Sequence, residues 1–166
     1  MTKTLGAGAL TVAVVTLLAA CGTGDGTSPG AAAASGLRAW VATDASVTLP
    51  GNAVTPVDLT TRTVGPKVSV GSLPSAMAFA HGGADLLVVT QGTDMLNEID
   101  PATGTVLHSV EVGVEPDAVA VAPGGKGGQG VALVANLDTD SVTPVDLGTW
   151  KAGKSIAVGK EPVAIA

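Results

Sequence analysis

The apolar positions between residues 37 and 166 come in short runs broken by Gly, Pro, Asp and Thr. From Pro116 the chain reads P-D-A-V-A-V-A, with alanines alternating with larger apolar residues. The same alternation occurs at residues 74–80 (P-S-A-M-A-F-A) and 162–166 (P-V-A-I-A). Each copy follows a Gly-x-x-Pro step. The glycines stand at positions 71, 113 and 159, so the pattern returns after 42 and then 46 residues. A period of this size predicts a repeat architecture. Three further columns align on the same anchor. The first is an apolar strand ending in a small polar residue: residues 39–43, 86–90 and 131–136. The second ends in Asp: V-T-P-V-D at 54–58, L-N-E-I-D at 96–100 and V-T-P-V-D at 142–146. The third is the strand leading to the glycine. Each unit therefore holds four short strands, and no connection is long enough for a crossover helix, so neighbours are expected to pair antiparallel.

Four strands in a repeat of about 42–46 residues predict the blade of a β-propeller. The alternation after each Pro marks the innermost strand, where blades converge and one side has room only for methyl groups. Pro56 and Pro144 lie inside strands, where each removes a ladder donor. A bulge or skipped bond is expected there, with Glu98 holding the equivalent place in the middle unit. The composition agrees with this class. Gly (23) and Pro (10) are abundant, and with aromatic content at 2% the core must be built from Val, Leu, Ile and Ala. The net charge of −6 leaves no basic stripe for phosphates, which excludes nucleic acid as the expected partner.

These units resemble the YVTN-type, or YncE-like, β-propeller family. The resemblance rests on Val88-Val89-Thr90 and Leu133-Val134-Ala135-Asn136, on Glu98-Ile99-Asp100-Pro101-Ala102-Thr103-Gly104, and on the three Gly-x-x-Pro steps. It covers residues 37–166. The Val-Thr-Pro-Val-Asp-Leu hexapeptide, present in the first and third units, resembles versions in actinobacterial secreted members. The resemblance implies a ring of about seven blades, whereas about three are present here. The fold expected is thus all-β: an incomplete propeller of about three four-stranded antiparallel blades, following a signal helix and a tether. The chain stops in what reads as the first strand of another blade. Two readings follow: a truncated or split gene product, which is favoured, or copies that self-associate through open propeller edges.

The N-terminus defines the compartment. Lys3 precedes an uncharged, mostly apolar run over residues 5–20, which reads as a secretory signal. It ends at Leu18-Ala19-Ala20-Cys21, which resembles the lipobox of bacterial lipoproteins. That resemblance implies cleavage before Cys21 and lipidation of Cys21, the single cysteine. Residues 1–20 are thus assigned to the signal peptide and residues 21–36 to the lipidated Cys and a flexible Gly/Ser/Ala-rich linker. The repeats occupy residues 37–166. The expected location is the extracytoplasmic face of the cell membrane, reached through lipid on Cys21, or the secreted fraction.

Candidate chemistry is sparse. Asp58, Asp100 and Asp146 recur once per unit. They read as turn residues whose carboxylates accept backbone N–H bonds, rather than as a rim of cation ligands. Thr90 and Asn136, at the ends of equivalent strands, read the same way. His81 and His108 have no neighbouring Cys or carboxylate pattern in the sequence, so no metal site is expected. Trp40 and Trp150 stand at non-equivalent positions and read as packing or rim residues. The glycine-rich 123–130 stretch lacks Ser or Thr after Lys126 and precedes no helix, so it is not read as a P-loop. No catalytic residue and no cofactor is expected. The function expected is a non-enzymatic, lipid-anchored, extracytoplasmic propeller that binds a protein or envelope component. The alternative is a propeller-type enzyme, lactonase- or streptogramin-lyase-like, whose site is incomplete in this chain.

Overall fold

The computed structural model describes residues 37–43, 51–124 and 128–166. The signal-like segment, Cys21, the tether, residues 44–50 of the long first-unit loop and Lys126 lie outside the described residues. The rest is all-β apart from one 3₁₀ turn at His81–Gly83.

Three antiparallel sheets follow one another along the chain. The first contains β1 (Arg38–Ala42), β2 (Ala53–Asp58), β3 (Thr63–Val64) and β4 (Val68–Ser69). The second contains β5 (Pro74–Ala80), β6 (Asp85–Thr90), β7 (Met95–Asp100) and β8 (Thr105–Glu111), in that spatial order. The third contains β9 (Pro116–Ala122), β10 (Val131–Asn136), β11 (Ser141–Asp146), β12 (Lys151–Ala152) and β13 (Ile156–Ala157). The sheets stack face to face as an open arc, an incomplete propeller whose described residues do not close a ring.

Burial shows which sheet is in the middle. In β6, residues Leu86, Leu87, Val88 and Val89 are all 0% exposed. Leu86 and Val88 pack with Trp40, Val54 and Val68 of the first sheet. Leu87 and Val89 pack with Val119, Val134 and Val145 of the third. A strand covered on both faces reads as a continuous apolar run, as β6 does in L-L-V-V. The small and large residues of the inner strands also follow from this stacking. Ala76, Ala78 and Ala80 of β5 face the interface that takes Val119 and Val121 of β9. Met77 and Phe79 face the first sheet. The methyl side of one inner strand thus makes room for the bulky side of the next, and the Ser75 hydroxyl donates to the Pro116 carbonyl at 2.6 Å to join the two.

The prolines act as expected on the outer strands and leave the inner ladder whole. Pro56 pairs with Trp40 in an unbroken β1–β2 register. The Pro56 carbonyl accepts from Gly65 N–H at 2.8 Å, and the Pro144 carbonyl accepts from Gly153 N–H at 2.7 Å. A residue's N and O point to the same side of a strand, so the missing donor faces outward. The outer strand there is split into β3 and β4, and into β12 and β13. In the middle unit Glu98 permits a continuous β8, yet the register still shifts between Glu98 and Ile99 and leaves Leu107 unpaired. The irregularity therefore belongs to the position, and proline turns it into a break.

One strand expectation is corrected. Residues 162–166, read as the inner strand of another blade, form no strand. β5 and β9 are strands because β6 and β10 complete their ladders, and among the described residues nothing runs beside Ala164, Ile165 and Ala166. The first sheet likewise has no described strand inside β1.

A Cβ on Gly65 would lie 2.8 Å from Pro56 Cγ, whereas one on Gly159 would meet nothing within 4 Å. Gly65→Ala is expected to lower the unfolding free energy by about 1–3 kcal/mol, and Gly159→Ala to leave it unchanged, as read by urea denaturation.

Candidate functional site

The three recurring aspartates close turns. The Asp58 carboxylate accepts from the backbone N–H groups of Thr60 and Thr61 at 2.8 and 2.9 Å. Asp100 accepts from Ala102 N–H and the Thr103 hydroxyl, both at 2.8 Å. Asp146 accepts from Gly148 N–H, Thr149 N–H and the Thr149 hydroxyl. The fourth residue after each Asp is left-handed: Arg62 (φ 57°), Gly104 (φ 72°) and Trp150 (φ 53°). Only the middle unit places glycine there, where the conformation costs a side chain nothing.

Thr90 and Asn136 also have structural work. Asn136 is fully buried. Its Oδ1 accepts from Gly113 N–H at 3.0 Å, and its Nδ2 donates to the Thr143 hydroxyl at 2.9 Å. A Cβ on Gly113 would sit 2.5 Å from Asn136 Cγ, which is why the junction needs glycine. The Thr90 hydroxyl bonds that of Thr93 at 2.7 Å.

The histidines depart most from the expectation. His81 and His108 lack a carboxylate neighbour in sequence pattern, but the fold gives each one. His81 ends the inner strand of the second sheet in a left-handed conformation (φ 50°), followed by Gly82 and Gly83 at φ 68° and 95°. This turn folds the imidazole back over Asp85, the first residue of β6, and Nδ1 bonds the Asp85 carboxylate. On its other side, Nε2 lies 2.6 Å from the carbonyl of Gln129, which precedes β10 in the next sheet. Glu98, 5% exposed in the middle of β7, is the ladder partner of His108. Its Oε2 lies 2.6 Å from His108 Nδ1. The His108 ring stacks on Trp150 of the third sheet, with centroids 5.1 Å apart and planes 6° apart.

The Asp85 hydrogen bond, chiefly, raises the His81 pKa, with smaller help from the Gln129 carbonyl and from the charges of Asp85 and Glu98. Burial works in the opposite direction. Both histidines, two acids and Trp150 thus form one cluster between the second and third sheets. The signal that marks this cluster in the sequence is Glu98, which stands where the other two units have proline. Asp85 carries no comparable signal, because it reaches His81 only through the left-handed turn.

Two further polar features lie elsewhere. A cavity of about 250 Å³ between the first and second sheets is lined by Arg38, Trp40, Asp58, Thr63 and the 101–104 turn. Arg38 Nη1 donates across its edge to the Pro101 carbonyl at 3.3 Å. In the third sheet's inner strand, burial raises the Asp117 pKa, against a bond from Gln91 Nε2 at 2.7 Å.

Similarity to known proteins is confined to structure. No protein-family model matches the chain, and no curated protein matches it. Among solved structures, hydrazine synthase of Kuenenia stuttgartiensis aligns with a TM-score of 0.67 and 25% identity over 76% of this chain and 34% of its own. A chain of the nidogen/laminin complex aligns with a TM-score of 0.57 and 17% identity, over 72% of this chain and 43% of its own. AztD of Citrobacter koseri aligns at 0.57 and 16% identity, over 76% and 33%. The shared feature is a β-propeller-like fold. The chain spans between a third and a half of the length of these proteins.

The aspartate turns set a pH dependence. The folded-state pKa values of Asp58, Asp100 and Asp146 are lowered from 3.8, chiefly by the Thr61 N–H for the first and by the Thr103 and Thr149 hydroxyls for the others. Their contribution to stability is present above the unfolded pKa and is lost as pH falls through the lower folded values. Stability measured by denaturant titration is expected to fall with decreasing pH below about 4. The triple Asp→Asn variant, which keeps the turn acceptors, is expected to show a shallower fall.

Proposed function

We propose that the chain is a lipid-anchored, extracytoplasmic propeller-type protein that binds a protein or envelope component without turning it over. The observation that carries the binding reading is the polar groove between the first two sheets, where Arg38 and Asp58 meet the 101–104 turn around an open space of about 250 Å³. Concave spaces between packed elements, with a few convergent polar groups, are where ligands bind. The repeated turns supply such groups from consecutive blades on one rigid frame. The anchor rests on Leu18-Ala19-Ala20-Cys21 after an apolar run. Lipid chains hold at roughly 0.8 kcal/mol per buried methylene, so anchoring by Cys21 keeps the blades at the membrane surface. The 21–36 segment is composed like a flexible tether. The named structural neighbours include both an enzyme, hydrazine synthase, and a component of a complex between two proteins, nidogen and laminin. The fold therefore suits either role.

A second reading, a propeller-type hydrolase of lactones, draws on the placement of His81 and His108 in one carboxylate cluster. Lactone turnover by the purified chain, lost in His81→Ala or His108→Ala, would replace the binding reading.

Metabolic labelling with an alkyne fatty acid in a bacterial host tests the anchor. The wild-type chain is expected to carry the label and sediment with membranes, and Cys21→Ala to lose both properties. Equal labelling of the two would refute lipidation at Cys21. Arg38→Ala is expected to weaken capture of the envelope partner retained by the wild-type chain, and an unchanged capture would move the binding surface elsewhere.

A further inference from the structure

We infer that His81, Asp85 and Glu98 form a site for a divalent cation of the zinc class, set between the second and third sheets. One ligand atom from each residue lies within 4.8 Å of the other two. The three come from consecutive parts of the second sheet: the 3₁₀ turn after β5, the start of β6 and the middle of β7. One imidazole nitrogen with two carboxylate oxygens is a donor set that zinc accepts. Calcium and magnesium prefer oxygen alone. Three protein donors leave a fourth position for water, the arrangement of an open zinc site.

The surroundings argue for a ligand more strongly than the three residues do by themselves. A metal-bound histidine almost always hands its other ring N–H to a carbonyl or carboxylate, which fixes tautomer and ring direction. His81 Nε2 has that partner, the Gln129 carbonyl at 2.6 Å. With the proton on Nε2, the Nδ1 lone pair faces the Asp85 carboxylate. Ligating carboxylates are themselves hydrogen-bonded, and Glu98 is held by His108 at 2.6 Å while the His108 ring is fixed on Trp150. Each donor pair is thus oriented from behind by a group that the apolar packing alone does not require.

Charge points the same way. Asp85 and Glu98 lie close together, and Glu98 is 5% exposed. Without an ion, the proton between His81 and Asp85 is the nearest compensation on that side. A dication takes the place of that proton, which passes to solvent, and draws the three donors to about 2.0–2.2 Å. The side chains of His81 and Asp85 remain 25% and 18% exposed, which gives the ion an entry path. The bound ion ties the second sheet to the third through the Gln129 carbonyl.

Isothermal titration of the purified full chain with zinc chloride tests the site, with magnesium chloride as the control. A single saturable zinc site and no magnesium binding are expected. Asp85→Asn and His81→Ala are expected to abolish the zinc event. His108→Phe, which keeps the ring on Trp150 but loses the hydrogen bond to Glu98, is expected to weaken it about 10–100-fold. X-ray absorption of the zinc-loaded chain is expected to show nitrogen and oxygen donors without sulfur, and zinc is expected to raise the Tm of the wild-type chain but not of Asp85→Asn. Absence of saturable zinc binding would overturn the site. So would a sulfur donor, which would place the ion on Cys21, or wild-type affinity in Asp85→Asn. Asp85→Asn is isosteric and partly exposed, so far-UV circular dichroism is expected to show it folded, and it decides the matter even if His81→Ala unfolds.

Discussion

Burial of the middle sheet on both faces is the constraint on which the rest depends. The core of the blade is shared with its neighbours: Leu86 and Val88 are buried against the first sheet, and Leu87 and Val89 against the third. Stability therefore resides in interfaces between neighbouring sheets, as in other stacked repeat proteins. The low aromatic content suits this plan. Branched aliphatic side chains and methyl groups fill thin layers that run the length of a blade, and the alanines of β5 admit the valines of β9. Of the three large rings, Trp40 and Phe79 pack in the layer between the first and second sheets, and Trp150 lies beside the layer between the second and third.

Face-to-face packing needs its register set, and the Gly-x-x-Pro junctions do this. The residue before each proline is left-handed: Leu73 at φ 57°, Glu115 at 52° and Glu161 at 49°. For a bulky residue such as leucine this is a strained conformation, and it persists because hydrogen bonds hold both sides of the junction. Glu115 N–H donates to Asp94 of the preceding sheet, and the Glu115 carbonyl accepts from Leu137 N–H in the next. Glu161 N–H repeats the first contact on Asp140. Each junction is thus clamped to the blade it leaves, and the first two also to the blades they enter, the first through Gln91 N–H to the Leu73 carbonyl at 2.8 Å. That arrangement brings a loop of the third sheet, carrying Gln129, against His81 at the edge of the second.

The candidate cluster is a product of this clamping together with two local irregularities. The left-handed turn at His81 directs the imidazole onto Asp85, and the register shift after Glu98 leaves that acid paired with His108. The pairs Asp85 with His81 and Glu98 with His108 are each local to a hairpin. Their union, with Gln129 and Trp150 behind them, exists only because the third sheet lies on the second.

The sequence by itself determined the period, the position of nearly every strand, the antiparallel pairing and the role of the aspartate turns. These depend on local rules: alternation at period two, the fixed φ of proline, and the ability of Asp and Thr to bond nearby backbone. The break opposite Pro56 and Pro144 was legible for the same reason. The bulge at Glu98 was not, because a position-wide irregularity in the outer strand shows only once β7 and β8 are paired. Nor was the absence of a strand at residues 162–166 legible, since alternation describes what a segment can form and a ladder partner decides whether it forms. Only the tertiary structure decided which face of each inner strand meets which neighbour, and that two histidines far apart in the repeat share one carboxylate cluster. Contacts between blades depend on the stacking of whole sheets, and no short-range pattern records it.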